Sequence, residues 1–276
     1  MEHSVISKLT QKIYRYVKLY IMSIKYSAQV DFMYWVNLII SVLVEILYQI
    51  AFFAIFVVIM TKTSTISGWG PFDIMILLGV DTITSELLTG MVIVWNTREL
   101  PTKIWSGELD RLLLRPIHPL FTLTLGRPYF PSFISAIVGV ILIIIGISKL
   151  GLVVSLLSIV GSAIFFVLGF IMVYCIIVDF SLLTFFFQDT TTMPRIGERI
   201  VYSFTSRPHT IFDGVLKFIF FFILPVVYVS SFSAQTLISG INFGWMLVAI
   251  VMTVISVFIT FWIWKVAIKN YSSASS

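Results

Sequence analysis

The sequence predicts an all-α, polytopic membrane protein with six transmembrane helices, an N-terminal interfacial helix and a short cytoplasmic helix. Three observations predict it. The 276 residues are 59% hydrophobic and only 11% charged, with a mean hydropathy of +1.04. A soluble domain carries about 25% charged residues, so this chain has too few to cover a water-facing surface. Apolar runs of about 20 residues, the length that spans a bilayer core, recur along the chain. Lysines and arginines concentrate in alternate connections between those runs.

Residues 1–35 form the first unit. Ile13, Val17, Tyr20, Ile21, Ile24 and Ala28 recur at helical spacing, with Lys12, Arg15, Lys18 and Lys25 on other faces. Tyrosines 14, 16, 20, 26 and 34 and Trp35 are the amphipathic rings expected at headgroup level. The pattern predicts a helix lying on the membrane surface. With so polar a start, no cleavable secretory signal is expected.

Residues 36–264 form the transmembrane unit. Clear spans run from Val36 to Met60, Ile74 to Trp95, Tyr129 to Ile147, Leu152 to Val178 and Gly244 to Trp264. A sixth is expected from Ile211 to Val229, although it contains Lys217 and Pro225. Backbone in lipid must satisfy its own hydrogen bonds, so continuous apolar runs are helices, and the alternation of a membrane barrel is absent. The stretch from Phe180 to His209 starts apolar and then carries Asp189, Arg195, Glu198 and Arg199, which suggests the end of the fourth helix followed by an amphipathic surface segment, with a re-entrant or extra partial span as the alternative. A cytoplasmic N-terminus places 16 Lys and Arg inside and only Lys62 and Lys149 outside. Both termini, including the tail at 265–276, are therefore expected in the cytoplasm of a cell-membrane protein.

Polar groups lie within the spans. Asn37, Ser41, Glu45 and Gln49 repeat every fourth residue on the first, Asp81 and Glu86 lie on the second, and Asp179 ends the fourth. An ionised carboxylate facing lipid costs several kcal/mol, so these faces look toward helices, a partner or water. They read either as a cargo or proton path or as interhelical polar contacts.

Other chemistry is sparse. A lone cysteine, Cys175, forms no internal disulfide, and His3, His118 and His209 lack metal-ligand spacing. No nucleophile adjoins a base, so an intramembrane enzyme is disfavoured. No phosphate-binding GxxxxGK[S/T] loop occurs, and the dipeptide Gly-Lys is absent. The chain is therefore expected to hold no cofactor of its own and to hydrolyse no ATP. Its charge of +5 follows the membrane sidedness rule and does not point to nucleic acid.

The most informative connection is the cytoplasmic loop at 96–120. Gly107 can cap a short helix in which Glu108 and Asp110 occupy the first turn and Arg111 and Arg115 lie toward the end, all favourable to the helix dipole. Leu109, Leu112 and Leu113 give an apolar face, and Pro116 ends the helix. A short amphipathic helix with a charged rim suits either a soluble partner or the membrane surface.

The run Ile104-Trp105-Ser106-Gly107-Glu108-Leu109-Asp110-Arg111-Leu112-Leu113-Leu114-Arg115-Pro116-Ile117 resembles the signature of a bacterial ABC transporter permease family of the type-two exporter group. Arg207-Pro208 with Ile223-Leu224-Pro225, and Trp264-Lys265 through Asn270-Tyr271-Ser272-Ser273-Ala274, resemble two further regions of that family in the same order. The charged stretch from Met193 to Arg199 departs from it. The resemblance implies six spans and a separate ABC-type ATPase pair that binds ATP and Mg. It also implies a second permease, identical or paralogous, and a docking or coupling helix at Gly107 to Pro116 whose polar residues contact the ATPase while its leucines anchor it. An exporter of amphipathic or hydrophobic cargo is the expected activity. An ion-coupled carrier or channel using the intramembrane acids is the alternative.

Overall fold

A computed structural model describes residues 2–187 and 192–271. Asp189 and the closing Ser272-Ser273-Ala274 lie outside the described residues, as do the side chains of His3, Lys8, Lys12 and Ile13. The described residues are helical apart from turns, with one isolated bridge between Ile66 and Trp69.

A long helix α1 (Glu2–Met33) bends at Tyr34 into α2 (Trp35–Lys62). Residues 63–70 turn the chain into α3 (Pro71–Leu88), which continues as a wider π-helical stretch (Thr89–Thr97). Three short helices follow: α4 (Leu100–Trp105), α5 (Glu108–Leu113) and α6 (Pro119–Leu125). Then come α7 (Phe130–Leu150), α8 (Leu156–Leu182) and α9 (Thr192–Thr205). Next are α10 (Gly214–Phe218), extended by a π-helical turn to Ile223, then a π-helical turn (Tyr228–Phe232) leading into α11 (Ser233–Ser239), and finally α12 (Phe243–Asn270). Five of these stretches are long and apolar enough to cross a membrane: Trp35–Lys62, Pro71–Trp105, Phe130–Leu150, Leu156–Phe185 and Phe243–Asn270. They match the five clear spans expected from the sequence.

The bundle is organised around α3 and α7, which pack antiparallel. Gly79 meets Gly139 backbone to backbone: a Cβ on Gly79 would lie 2.7 Å from the Gly139 carbonyl oxygen. Gly146 does the same against Phe72, and Gly90 against Tyr129. Small residues let two membrane helices approach closely where no hydrophobic force drives them together. This pairing sets the two ends of the bundle. The 63–70 and 151–155 turns share one end, the far end. The α4–α6 loop, Phe185 at the close of α8 and Tyr271 after α12 share the other, which carries most of the basic residues.

Two expectations are corrected. The segment from Ile211 to Val229 is not a single span. Pro225 lacks an N–H and pushes Leu224 out of helical geometry (φ −121°, ψ 76°), so the chain breaks into Gly214–Ile223 and Tyr228–Ser239, bent by 85°. At 1.5 Å per residue the halves are only roughly 15 and 18 Å long. Thr210 Oγ1 donates to the Ser67 carbonyl at 2.9 Å, which places the start of the hairpin at the far end. Gly161, near the start of α8, packs on Thr236 and Ile241, so the hairpin also leaves by the far end. Its tip, Tyr228 and Val229, lies against Gly169 halfway down α8. The segment is a re-entrant hairpin.

The second correction follows. The 180–209 stretch is not a surface segment but the alternative, an extra partial span, because the chain must rise from the end of α8 to Thr210. It does so through α9, packed against α8 and α3. Pro194, Gly197, Glu198, Val201 and Thr205 form its buried stripe, and Gly197 lets it close on Phe180. Its charge misled the reading: Arg195 and Arg199 are exposed at the basic end, while Glu198 is buried with a partner. Arg207 and Lys217 accordingly move to the far half, leaving 14 of the 18 Lys and Arg at the basic end. With α9 counted beside the five long apolar stretches the chain passes between the two ends six times, and α1 and Tyr271 both lie at the basic end.

Candidate functional site

The loop between α3 and α7 is built from its stem outward. The wide π-helical turn at the end of α3 leaves carbonyls free for other donors. The Gly90 carbonyl accepts from Tyr129 N–H at 2.6 Å. Asn96 then clasps the returning strand from both sides: its Nδ2 donates to the Arg127 carbonyl (2.9 Å) and its Oδ1 accepts from Arg127 N–H (3.0 Å). The same Nδ2 donates to the Met91 carbonyl. The Arg127 guanidinium covers the Trp95 ring at 4.2 Å. Two residues beyond Asn96, Arg98 grips Glu198 of α9 through Nε (3.0 and 3.1 Å) and Nη2 (2.7 Å). Lys103 Nζ returns to the Trp95 carbonyl. These contacts tie the loop to α3, α7 and α9.

The tip is the predicted docking helix. Gly107 sits at its N-cap with φ 70° and ψ 8°, a left-handed conformation that costs a side-chain-bearing residue about 1 kcal/mol. Ser106 Oγ accepts from Glu108 N–H. Glu108 and Asp110 lie in the first turn and Arg111 in the last. The helix closes at Leu113, earlier than expected, and Leu114, Arg115 and Pro116 form a turn. The leucine face points inward: Leu109 and Leu112 are buried in the bundle and Leu113 half-buried, so they anchor the helix to its own chain and not to a partner. The exposed surface is Trp105 (60%), Arg111, Leu114 (85%), Arg115 and Pro116, with Glu108 and Asp110 at its edge.

The intramembrane polar residues separate into distinct places. Ser41, Glu45 and Gln49 face the bundle, but Asn37 is exposed and does not join them, because a four-residue repeat drifts 40° per step round the helix. Gln49 Nε2 donates to Glu86 Oε1 at 2.7 Å in a buried contact, with Glu45 and Ser132 beside it. Ser41 lies against the Tyr129 hydroxyl. Glu86 Oε2 and Gln49 Oε1 are buried with no donor. Asp81 belongs elsewhere: it accepts from Ser230 of the hairpin at 3.4 Å, near Thr205 of α9. Beside that contact, His209 Nδ1 and Ser231 Oγ are 2.8 Å apart, and the imidazole stacks on Phe232. Asp179 and buried Cys175 both neighbour Thr260. Among the described residues no three His, Cys, Asp or Glu side chains gather as a metal site.

Several residues here escaped sequence reasoning. Asn96, Arg98 and the Arg98–Glu198 pair were invisible because partners roughly 30 and 100 positions away leave no local pattern. Glu198 did carry a signal, since it shares the helical stripe of Pro194, Val201 and Thr205 and an acid on a buried stripe requires a partner. The hairpin serines gave none.

A bundle of long apolar helices closed by glycine contacts, with a re-entrant hairpin at one end and a braced, charged loop at the other, defines an integral membrane protein of the permease class. A family model described as "ABC-2 family transporter protein" matches residues 46–275, and the chain belongs to that family. It is accordingly a permease-type subunit of an ABC transporter, a transport component and not an enzyme. No curated protein and no solved structure matches the chain.

Proposed function

We propose that this permease is the cell-membrane half of an ATP-driven exporter for amphipathic or hydrophobic cargo, docking a separate cytoplasmic ATPase pair through residues 107–116. The observation that carries the reading is the braced loop. Its tip offers Trp105, Arg111, Leu114, Arg115 and Pro116 to solvent, while Leu109, Leu112, Asn96 and Arg98 fix its base to three long helices. A tip held this way passes a push from a partner to α3, α7 and α9 together. On this reading both termini are cytoplasmic, as the 14 basic residues at that end favour. ATP and Mg belong to the partner, whose dimerisation biases the bundle between inward-open and outward-open states.

A second permease, identical or paralogous, completes the pathway. Of α2 only Leu38 and Gln49 are buried within the chain, which leaves a whole helix face for that partner or for lipid. The far end of α9 and the hairpin meet α3 at Asp81, so a push on Arg98 reaches Asp81 and Ser230 through α9.

A carrier driven by an ion gradient is the second reading, favoured by one observation: Glu86 and Gln49 keep buried acceptors without donors beside Glu45. Reconstitution separates the two. With the ATPase present, cargo movement should require ATP and survive collapse of all ion gradients. Transport by the permease alone on an ion gradient would overturn the proposal.

A further inference from the structure

Helix α1 lies outside the family match, which begins at residue 46, yet it is bolted to the loop that carries the docking helix. Arg15 Nη2 donates to the Pro116 carbonyl at 3.4 Å, His118 N–H donates to Tyr16 Oη at 3.0 Å, and Ser27 Oγ donates to the Pro128 carbonyl at 2.6 Å. The Tyr16 ring also meets Phe121 edge-on at 4.9 Å. These contacts use one face of the helix. Tyr16, Tyr20, Ser23 and Ser27 recur at three- and four-residue steps and turn toward the bundle.

The opposite face has a different chemistry. Lys18 and Lys25 are exposed and seven residues apart, two full turns, so they stand one above the other about 10.5 Å apart. On one side of this pair run Tyr14, Val17 and Ile21, all exposed; on the other run Met22 and Tyr26, also exposed. A strip of cations flanked by apolar and tyrosine side chains matches the boundary between acyl chains and headgroups. Positive charge in that plane favours anionic headgroups over zwitterionic ones. We infer that this outer face of α1 binds anionic phospholipid through Lys18 and Lys25, and that the Tyr16–His118 and Ser27–Pro128 bonds carry the occupancy of that site to the docking loop. Residues 116–128 are thereby held in place by the membrane as well as by the bundle.

The test needs only the full-length permease, so its failure is separate from any failure of the ATPase reading. Amide hydrogen exchange is followed in phosphatidylcholine bilayers and in bilayers of equal parts phosphatidylcholine and phosphatidylglycerol. Anionic lipid should slow exchange across residues 14–30 and at the His118 amide. Each lysine should contribute about fivefold to the lipid preference, and K18Q/K25Q should abolish both effects, whereas K18R/K25R should keep them. Y16F/S27A should retain slowing in α1 and lose it at His118. Identical exchange in the two bilayers, a full response in K18Q/K25Q, or slowing at His118 that persists in Y16F/S27A would overturn the inference.

Discussion

Arg98 and Glu198, 100 residues apart in sequence, form a two-pronged ion pair with contacts of 2.7 to 3.1 Å, joining the stem of the α4–α6 loop to α9. The glutamate side chain is only 5% exposed and the arginine 48%, so the carboxylate depends on this partner while the guanidinium can turn to water. Breaking the pair from the arginine side strands a buried charge. Arg98→Ala should destabilise the protein by about 2–3 kcal/mol, and Glu198→Gln by less, because the amide still accepts. Thermal unfolding in detergent measures the order. The exchanged pair R98E/E198R should recover part of the loss.

Asn96 tests the clasp at the same stem. Asn96→Ala removes three hydrogen bonds at once and leaves the Arg127 backbone groups to find water. A loss of about 1–3 kcal/mol follows from neutral hydrogen bonds at a part-buried site. Faster proteolysis within 98–127, compared with the parent protein, checks that the loop itself has loosened. Asn96→Asp keeps the acceptor and should lie between.

The glycine contact of α3 and α7 brings the two backbones into direct approach. Gly139→Val would drive a branched side chain into the Gly79 carbonyl and the Ile83 side chain. Overpacking of this kind costs about 1–3 kcal/mol or more, and here the obstacle is backbone that cannot rotate away. The variant should aggregate on gel filtration or melt well below the parent. Gly107→Ala meets nothing closer than Asp110 Oδ2 at 3.9 Å and should cost only about 1 kcal/mol, for its backbone conformation.

Asp31, at the end of α1, gives a pH-dependent prediction. Burial holds its carboxyl above the usual value, opposed by a backbone hydrogen bond from Phe130 and by the charge of Arg127. A carboxyl raised on folding contributes stability below its unfolded value and loses it as pH rises through the folded one. Asp31→Asn should therefore unfold at a higher temperature than the parent at pH 7, with the gap closing as pH falls to about 4. A constant gap across that range would contradict the prediction.

The sequence revealed the apolar spans, because continuous hydrophobicity has one structural meaning in lipid. It also revealed Gly107 as a cap, because the left-handed position favours glycine. It misplaced α9 and the hairpin for a reason visible at two residues. Glu198 and Arg199 looked like surface charge, but one of them is neutralised by Arg98 from another helix. Pro225 is expected inside a single span, but it bends the chain by 85° just before a mid-bundle tip packed on Gly169. The leucines of α5 were legible as an apolar face; which body they face depends on tertiary packing that no local pattern encodes.

The central claim is that the loop tip faces the cytoplasm and seats an ATPase. Leu114, 85% exposed at that tip, is the position to probe. A photo-crosslinking residue in place of Leu114, in cells expressing the permease with its ATPase, should yield a covalent permease–ATPase adduct, while the same probe at Val153 in the far turn should yield none. An adduct from Val153 and none from position 114, or labelling of Leu114→Cys by a membrane-impermeant thiol reagent added outside intact cells, would contradict the account.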